Sequence, residues 1–329
     1  MEKLSEYFNN CKVLVTGGTG LIGRQVVDIL VDCGAYVTVT SLDNLNLNPN
    51  AVYKKMDLTK IENCLDLTSD IDYVFHLAGI KGSIEVTKSM PASFFVPLLL
   101  MNTNILEASR LNNVKRLVYT SSIGAFPSAE VFREEDDNSA PPMDMFPGWA
   151  KRMAELQIKA YKIQYKKNNF YVTRPCNVYG PGDNFDPKNA MVIPSLMARI
   201  SAGESPLSIW GDGSAVRDFA FSRDLAIGIL QTLIHGTGNF DFLNLASGKG
   251  VTIKELVDTM SEVIGFEYEF DTSKSSGFPK RVMDISNAKK IIGYNHTTTL
   301  KEGILETWNW FQKNKKEYLE RKNYFSDEG

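Results

Sequence analysis

Val13-Leu14-Val15-Thr16-Gly17-Gly18-Thr19-Gly20-Leu21-Ile22-Gly23 joins a continuous apolar run to a glycine turn, and the turn opens a segment with helical spacing. An apolar run without alternation fits a strand covered on both faces of a parallel sheet. Gly17, Gly20 and Gly23 recur every three residues. A first glycine allows the tight turn, a second lets a diphosphate approach the backbone, and a third lets helix and strand pack closely. The start of the helix then offers unpaired N–H groups to an anion. Gly17, Gly20, Leu21, Ile22 and Gly23 are therefore the candidate contacts to a dinucleotide.

Outward from this turn, short β-branched runs alternate with helix-period segments. Strands are expected at Lys12–Thr16, Tyr36–Thr40, Tyr73–Leu77, Arg116–Thr120 and Phe170–Arg174, with helices at Gly23–Cys33, Ala92–Leu111 and Trp149–Lys166. That alternation predicts an α/β fold, a doubly wound parallel sheet of the Rossmann type. After Arg174 the rhythm gives way to loops rich in glycine and proline, as in Asn177–Pro187. The expected division is a dinucleotide-binding domain over 1–174 and a smaller substrate lobe over 175–329, with about 215–248 returning to the first domain.

Composition narrows the function. The 329 residues carry a net charge of −3 and are 43% hydrophobic, which gives no reason to expect a nucleic-acid or membrane partner. The opening Met1–Lys12 is too polar for a secretory leader, so a cytoplasmic protein is expected. Cys11, Cys33, Cys64 and Cys176 are scattered, as are His76, His235 and His296. Neither set has metal-ligand spacing, and reduced thiols and no metal are expected.

The nicotinamide cofactor, NADP or NAD, depends on the end of the second strand. An acidic side chain there binds a ribose diol, and Asp43 in that place fits NAD. Ser41 facing the ribose, with Arg24 nearby, fits the extra phosphate of NADP, and the balance leans to NADP. Asp57 and Leu58 fall near the expected adenine site, with Asp57 also readable as a solvated turn residue, and Ala78 is a further candidate contact to the cofactor.

The glycine turn, His76–Gly79 (HLAG), Thr120–Ser122 (TSS) and Lys151 occur in an order that resembles the extended short-chain dehydrogenase/reductases. Members of that family epimerise, dehydrate or reduce nucleotide sugars. Segments 177–196, 210–219, 277–286 and 299–303 resemble its GDP-L-fucose synthase-like branch. The resemblance implies a nucleoside-diphosphate sugar as substrate. It also implies a homodimer through helices 92–111 and 149–166. By position, Ser122 matches the hydroxyl that binds the sugar oxygen. Lys151 matches the lysine that holds the nicotinamide ribose and assists a catalytic tyrosine one helical turn earlier.

Position 147 should hold that tyrosine and holds proline. The branch's cysteine and histidine positions are Gly124 and Met191 here, and neither exchanges a proton. Lys81, in the loop after Ala78–Gly79, is the candidate replacement acid/base, since a desolvated lysine can titrate near neutrality. Asp144 and Asp183 are loop carboxylates with the same potential. In the lobe, Arg217 and Arg281 suit bidentate pairing with phosphates, and Asn177 offers an amide to the substrate. Trp210 suits either a stacked base or the core. Two readings follow: an enzyme passing through a keto sugar with its proton handled by a group other than tyrosine, and a catalytically silent dinucleotide-binding sensor or subunit.

Overall fold

The computed structural model describes residues 2–80, 84–136, 138–186 and 189–319. Lys81 lies outside them. The strands are β1 (Lys12–Thr16), β2 (Tyr36–Ser41), β3 (Val52–Lys55), β4 (Tyr73–His76), β5 (Arg116–Thr120), β6 (Val131–Phe132) and β7 (Phe170–Pro175). They continue as β8 (Asn177–Tyr179), β9 (Leu207–Trp210), β10 (Val216–Phe221), β11 (Leu243–Leu245), β12 (Gly250–Thr252), β13 (Tyr268–Asp271) and β14 (Lys280–Met283). Seven of them form one sheet in the order β11-β7-β5-β4-β1-β2-β3. Every pairing in that sheet is parallel. This is the Rossmann-type α/β architecture expected from the sequence.

The cause is visible strand by strand. Val13, Leu14 and Val15 in β1 and Leu117, Val118 and Tyr119 in β5 are all fully buried, because crossover helices cover both faces. The order reverses between β1 and β4, so a crevice opens at their carboxyl ends, where open α/β sheets bind ligands. The edge strand β3 was not expected. Val52-Tyr53-Lys54-Lys55 is mostly exposed and lacks the apolar run that marks the central strands.

Beyond β7 the chain builds a second, smaller layer. β10 lies between β8, β12 and β14, and β14 also pairs with β6. A separate apolar cluster lies here, with Phe185, Leu196, Met197, Leu256, Met260 and Phe311 among its members. The helices Pro91–Leu111 and Met145–Tyr165 pack side by side on one face of the main sheet. No helix among the described residues is long and apolar enough to cross a membrane.

A buried ion pair fixes the second of those helices. Arg174 of β7 meets Glu155 at 2.6 Å, and its guanidinium lies 3.7 Å from the Phe242 ring centre and 4.3 Å from that of Phe126. Ser121 donates to the same carboxylate at 2.5 Å. Glu155→Ala would leave an enclosed guanidinium without its counter-charge. A stability loss of about 3–5 kcal/mol is expected in denaturant titration.

Candidate active site

The glycine turn divides its labour. Gly17 has φ +68°, and a Cβ there would stand 2.7 Å from Ala78 Cα, so the loops after β1 and β4 touch. A Cβ on Gly23 would overlap Gly17 O and stand 2.8 Å from Gly18 Cα. Both positions are closed by backbone. Gly20 differs: its Cβ would meet only Gly17 O, at 3.3 Å. It is also the N-cap of helix Leu21–Asp32 and has no side-chain cap. The N–H groups of Leu21 and Ile22 fall in the first turn, where no intrahelical acceptor exists. The open space over Gly20 fits a diphosphate.

Beside it, Thr19 Oγ1 donates to Asp43 Oδ2 at 2.8 Å and lies 3.0 Å from Ser41 Oγ. Asp43 also accepts from Leu45 N at 3.1 Å. The carboxylate expected at the end of β2 is thus tied to the glycine turn. Arg24 adjoins the same cluster. It donates to Thr19 O at 3.1 Å and lies 5.2 Å from the Trp310 ring centre, and a Cβ on Gly182 would overlap its guanidinium. Asp57 accepts from Thr59 through N–H and hydroxyl, and Leu58 is buried.

Under the crevice runs a closed polar chain. Thr16 Oγ1 accepts from Leu77 N and Ala78 N. Its own hydrogen is left for His76 Nδ1, 2.7 Å away. His76 is then protonated on Nε2, which donates to Asn102 Oδ1 at 2.9 Å, and Asn102 donates to Tyr119 OH at 3.0 Å. Burial holds His76 down to about 3, so it is neutral. Tyr119 has no exposed surface. Its hydroxyl is sealed in this network by Asn102, so it is no substitute for the missing phenol.

Lys151 closes the floor. Its Nζ donates to Thr120 O at 2.9 Å and lies 5.4 Å from the Tyr119 ring centre. Burial lowers it to about 8, against the opposing pull of Glu155. Ser122 Oγ, two residues beyond Thr120 as the chain leaves β5, accepts from Gly124 N at 3.1 Å. The helix that carries Lys151 begins at Met145, four residues before the expected Trp149, so Pro147 is its third residue. Met191 is the exposed N-cap of helix Val192–Ser201.

Two features of this region were not legible beforehand. A Cβ on Gly124 would overlap Asp144 Oδ2 and stand 2.7 Å from its carboxyl carbon. Burial raises the Asp144 carboxyl above the ordinary aspartate range, and Arg281 partly offsets this. Arg281 in turn faces Arg217 across adjacent strands β14 and β10. Burial lowers both guanidinium pKa values, and Arg281 lowers that of Arg217 further. Arg217 is anchored on the carbonyls of Val216 and Phe278 at 2.8 and 2.7 Å. Arg281 stacks 4.3 Å from the Phe278 ring centre, and its Nε is buried with no partner among the described residues. Two like charges held together in this way fit a dianionic group. Asn177 spends its amide on Asp218 O at 3.1 Å. Trp210 is 68% exposed and so is not a core residue.

Gly20→Ala is expected to fold like the wild type and to lose dinucleotide binding. Gly23→Ala is expected to lose about 1–3 kcal/mol, since its Cβ meets backbone. Calorimetric titration and thermal melting separate the two. Lys151 binds its proton less tightly folded than unfolded. Wild-type stability relative to Lys151→Met should therefore rise with pH from about 8 toward the ordinary lysine value of 10.5. Paired denaturant curves across that window check the sign.

Known proteins resemble this chain along most of its length. The model of the NAD dependent epimerase/dehydratase family matches residues 13–245. GDP-L-fucose synthase 1 of Arabidopsis thaliana is 30% identical over 318 residues, covering 93% of this chain and 94% of that protein. A dTDP-4-dehydro-6-deoxy-D-allose reductase of a Streptomyces species is 31% identical over 321 residues, covering 92% and 97%. The UDP-glucose 4-epimerase of Thermotoga maritima, solved with UDP-glucose, superposes with a TM-score of 0.79 at 28% identity over 92% of this chain and 99% of that one. With its parallel sheet, its glycine turn and a match over most of its length, the chain belongs to the NAD-dependent epimerase/dehydratase family, whose cofactor is NAD or NADP.

Proposed function

We propose that this protein is an NAD(P)-dependent enzyme that epimerises, reduces or dehydrates a nucleoside-diphosphate sugar through a keto intermediate. The observation that carries this reading is a set of polar groups gathered along the cleft. It runs from Lys151 and Ser122 on the crevice floor, past Gly124 and Asp144, to Arg281 and Arg217 on the facing lobe. When bound, the dinucleotide supplies hydride exchange at a sugar carbon.

The chain's own residues supply the rest. Lys151 holds the nicotinamide ribose, Ser122 orients the reacting sugar oxygen, and Arg217 and Arg281 hold the diphosphate. Asn177 lines the same lobe, and Trp210 offers its exposed face to the base. Residues 1–174, with 215–248, serve the dinucleotide, and 175–329 mainly serve the sugar nucleotide. A GDP-linked sugar is the first to try, since the Arabidopsis relative is named for GDP-L-fucose. A homodimer through helices 92–111 and 149–166 would cover Val96, Leu100, Leu156 and Ile163, which are exposed and apolar. Asp43 at the glycine turn favours a ribose diol, since its charge would repel a 2′-phosphate. This turns the cofactor preference toward NAD, with Asp43→Asn narrowing it.

The second reading, a silent sensor, draws on Pro147. One assay separates the two. GDP-, UDP-, dTDP- and CDP-sugars are incubated with protein and NAD or NADP, and nicotinamide absorbance and product NMR are followed. A changed sugar that disappears in Lys151→Ala supports the enzyme. Tight dinucleotide binding without product from any sugar supports the sensor. In the active case Arg217→Met should raise KM on the order of tenfold to a hundredfold, the loss of a charged hydrogen-bonding partner.

A further inference from the structure

We infer that Asp144 is the general acid/base of this site, its carboxyl seated over the bare Cα of Gly124 and moving the proton that a phenol at position 147 would otherwise move. The inference rests on the enzyme reading above and adds the identity of the proton carrier.

Three independent observations converge on it. The first is space. The Asp144 carboxyl lies where the first side-chain atom of residue 124 would be. Gly124 N bonds Ser122 Oγ, so the carboxyl and the substrate-orienting hydroxyl flank one residue of backbone.

The second is a bond not made. Asp144 is the N-cap of helix Met145–Tyr165 and makes no side-chain cap. An N-cap aspartate ordinarily accepts from the N–H of the second or third helical residue, worth about 1 kcal/mol. Here the third is Pro147, which has no N–H. The same proline that removes the phenol thus removes a donor that would draw the carboxyl back onto the helix. Asp144 as a residue is exposed, while its carboxyl is packed against the 123–125 turn.

The third is the charge around it. Among the described residues, Arg281, on β14, is the charged group that bears on the carboxyl, and it stands beside Arg217. Lys151 lies seven residues on, two turns along the same helix face. The carboxyl therefore sits between the cofactor floor and the paired arginines, where the reacting part of a sugar diphosphate would lie. Burial raises its pKa, which brings it toward the range an acid/base needs. Tyr119 is sealed in its network, and Gly124 and Met191 carry no exchangeable proton.

The step balances. In the oxidative direction the sugar O–H proton passes to the Asp144 carboxylate. The C–H electron pair leaves as hydride to the oxidised nicotinamide, and the C–O bond becomes C=O. In the reductive direction the protonated carboxyl returns the proton to oxygen as hydride returns to carbon. Oxidation needs the ionised form, so its kcat/KM falls as pH drops through the Asp144 pKa. Reduction needs the protonated form and falls as pH rises through the same value.

The test uses whichever panel sugar the wild type turns over. Asp144→Asn should lower kcat on the order of a hundredfold to ten-thousandfold and abolish the Asp144 limb of the pH profile, with dinucleotide affinity unchanged. Gly124→Ala, which keeps the carboxyl but fills its seat, should give a comparable loss. Carboxyl 13C NMR of the dinucleotide-loaded protein gives a readout apart from turnover. The resonance missing in Asp144→Asn should titrate above the ordinary aspartate range in wild type and return toward it in Gly124→Ala. Wild-type kcat and pH profile in Asp144→Asn would overturn the assignment and leave the enzyme reading standing. So would an ordinary titration of this carboxyl in wild type and Gly124→Ala alike. Failure of the wild type on every sugar would instead bring down the enzyme reading itself.

Discussion

The close approach of the 123–125 turn to the first turn of helix Met145–Tyr165 governs the geometry of the cleft. Two residues without side chains permit it. A Cβ on Gly148 would stand 2.6 Å from Gly124 O, and one on Gly124 would overlap the Asp144 carboxyl. The contact is held from both sides. Asp144 N donates to Gly124 O at 3.2 Å, and Met143 N donates to Phe126 O at 2.8 Å. Arg152, one turn further along the helix, donates to Ala125 O at 2.6 Å and to the carbonyls of Asn138 and Ala140. The loop that leaves β5 and the helix that carries Lys151 therefore form one rigid unit, anchored beneath by the Glu155–Arg174 pair. A site built on such a unit keeps its groups in register without a bound ligand.

That unit sits on a floor whose charges are balanced against burial. His76 stays neutral because Thr16 and Asn102 satisfy both ring nitrogens and burial disfavours a proton. Lys151 is the one of these floor groups poised near neutrality, and a protonated His76 beside it would push its pKa lower still. The opposite wall is cationic, with Arg217 and Arg281 side by side. Like charges half-buried together are unfavourable until an anion joins them. The cleft therefore stores an unmet demand for negative charge at one end and a titratable amine at the other, with a carboxyl between.

How much of this could be read from the chain follows from the range of each interaction. The glycine turn was legible because its requirements are local: a strand, three glycines at fixed spacing and a helix start. The central strands were legible because burial on both faces leaves a continuous apolar run, whereas the mostly exposed edge strand β3 leaves none. Arg217 and Arg281 were singled out separately, but they stand 64 positions apart in sequence, and only strand pairing makes them neighbours. Trp210 could not be placed, because the residue type is compatible with core and surface alike. Arg24 was expected near the ribose. Its guanidinium donates to Thr19 O, beside Ser41 and Asp43, and also packs against Gly182 and Trp310, residues far along the chain. Asp144 was one loop carboxylate among others until the fold set it over Gly124.

Gly124 and Pro147 therefore mean more together than either does alone. Read singly, each is a catalytic side chain that is missing. Read in place, each removes something that would hold Asp144 away from the cleft: a Cβ that would occupy its seat, and an N–H that would recapture it as a cap. A residue with a side chain at 124 would push the carboxyl out even with proline at 147. A residue with an N–H at 147 would compete for it even with glycine at 124. The departures at 124 and 147 thus act on the same carboxyl, one leaving room for it and the other removing one of its two possible cap donors.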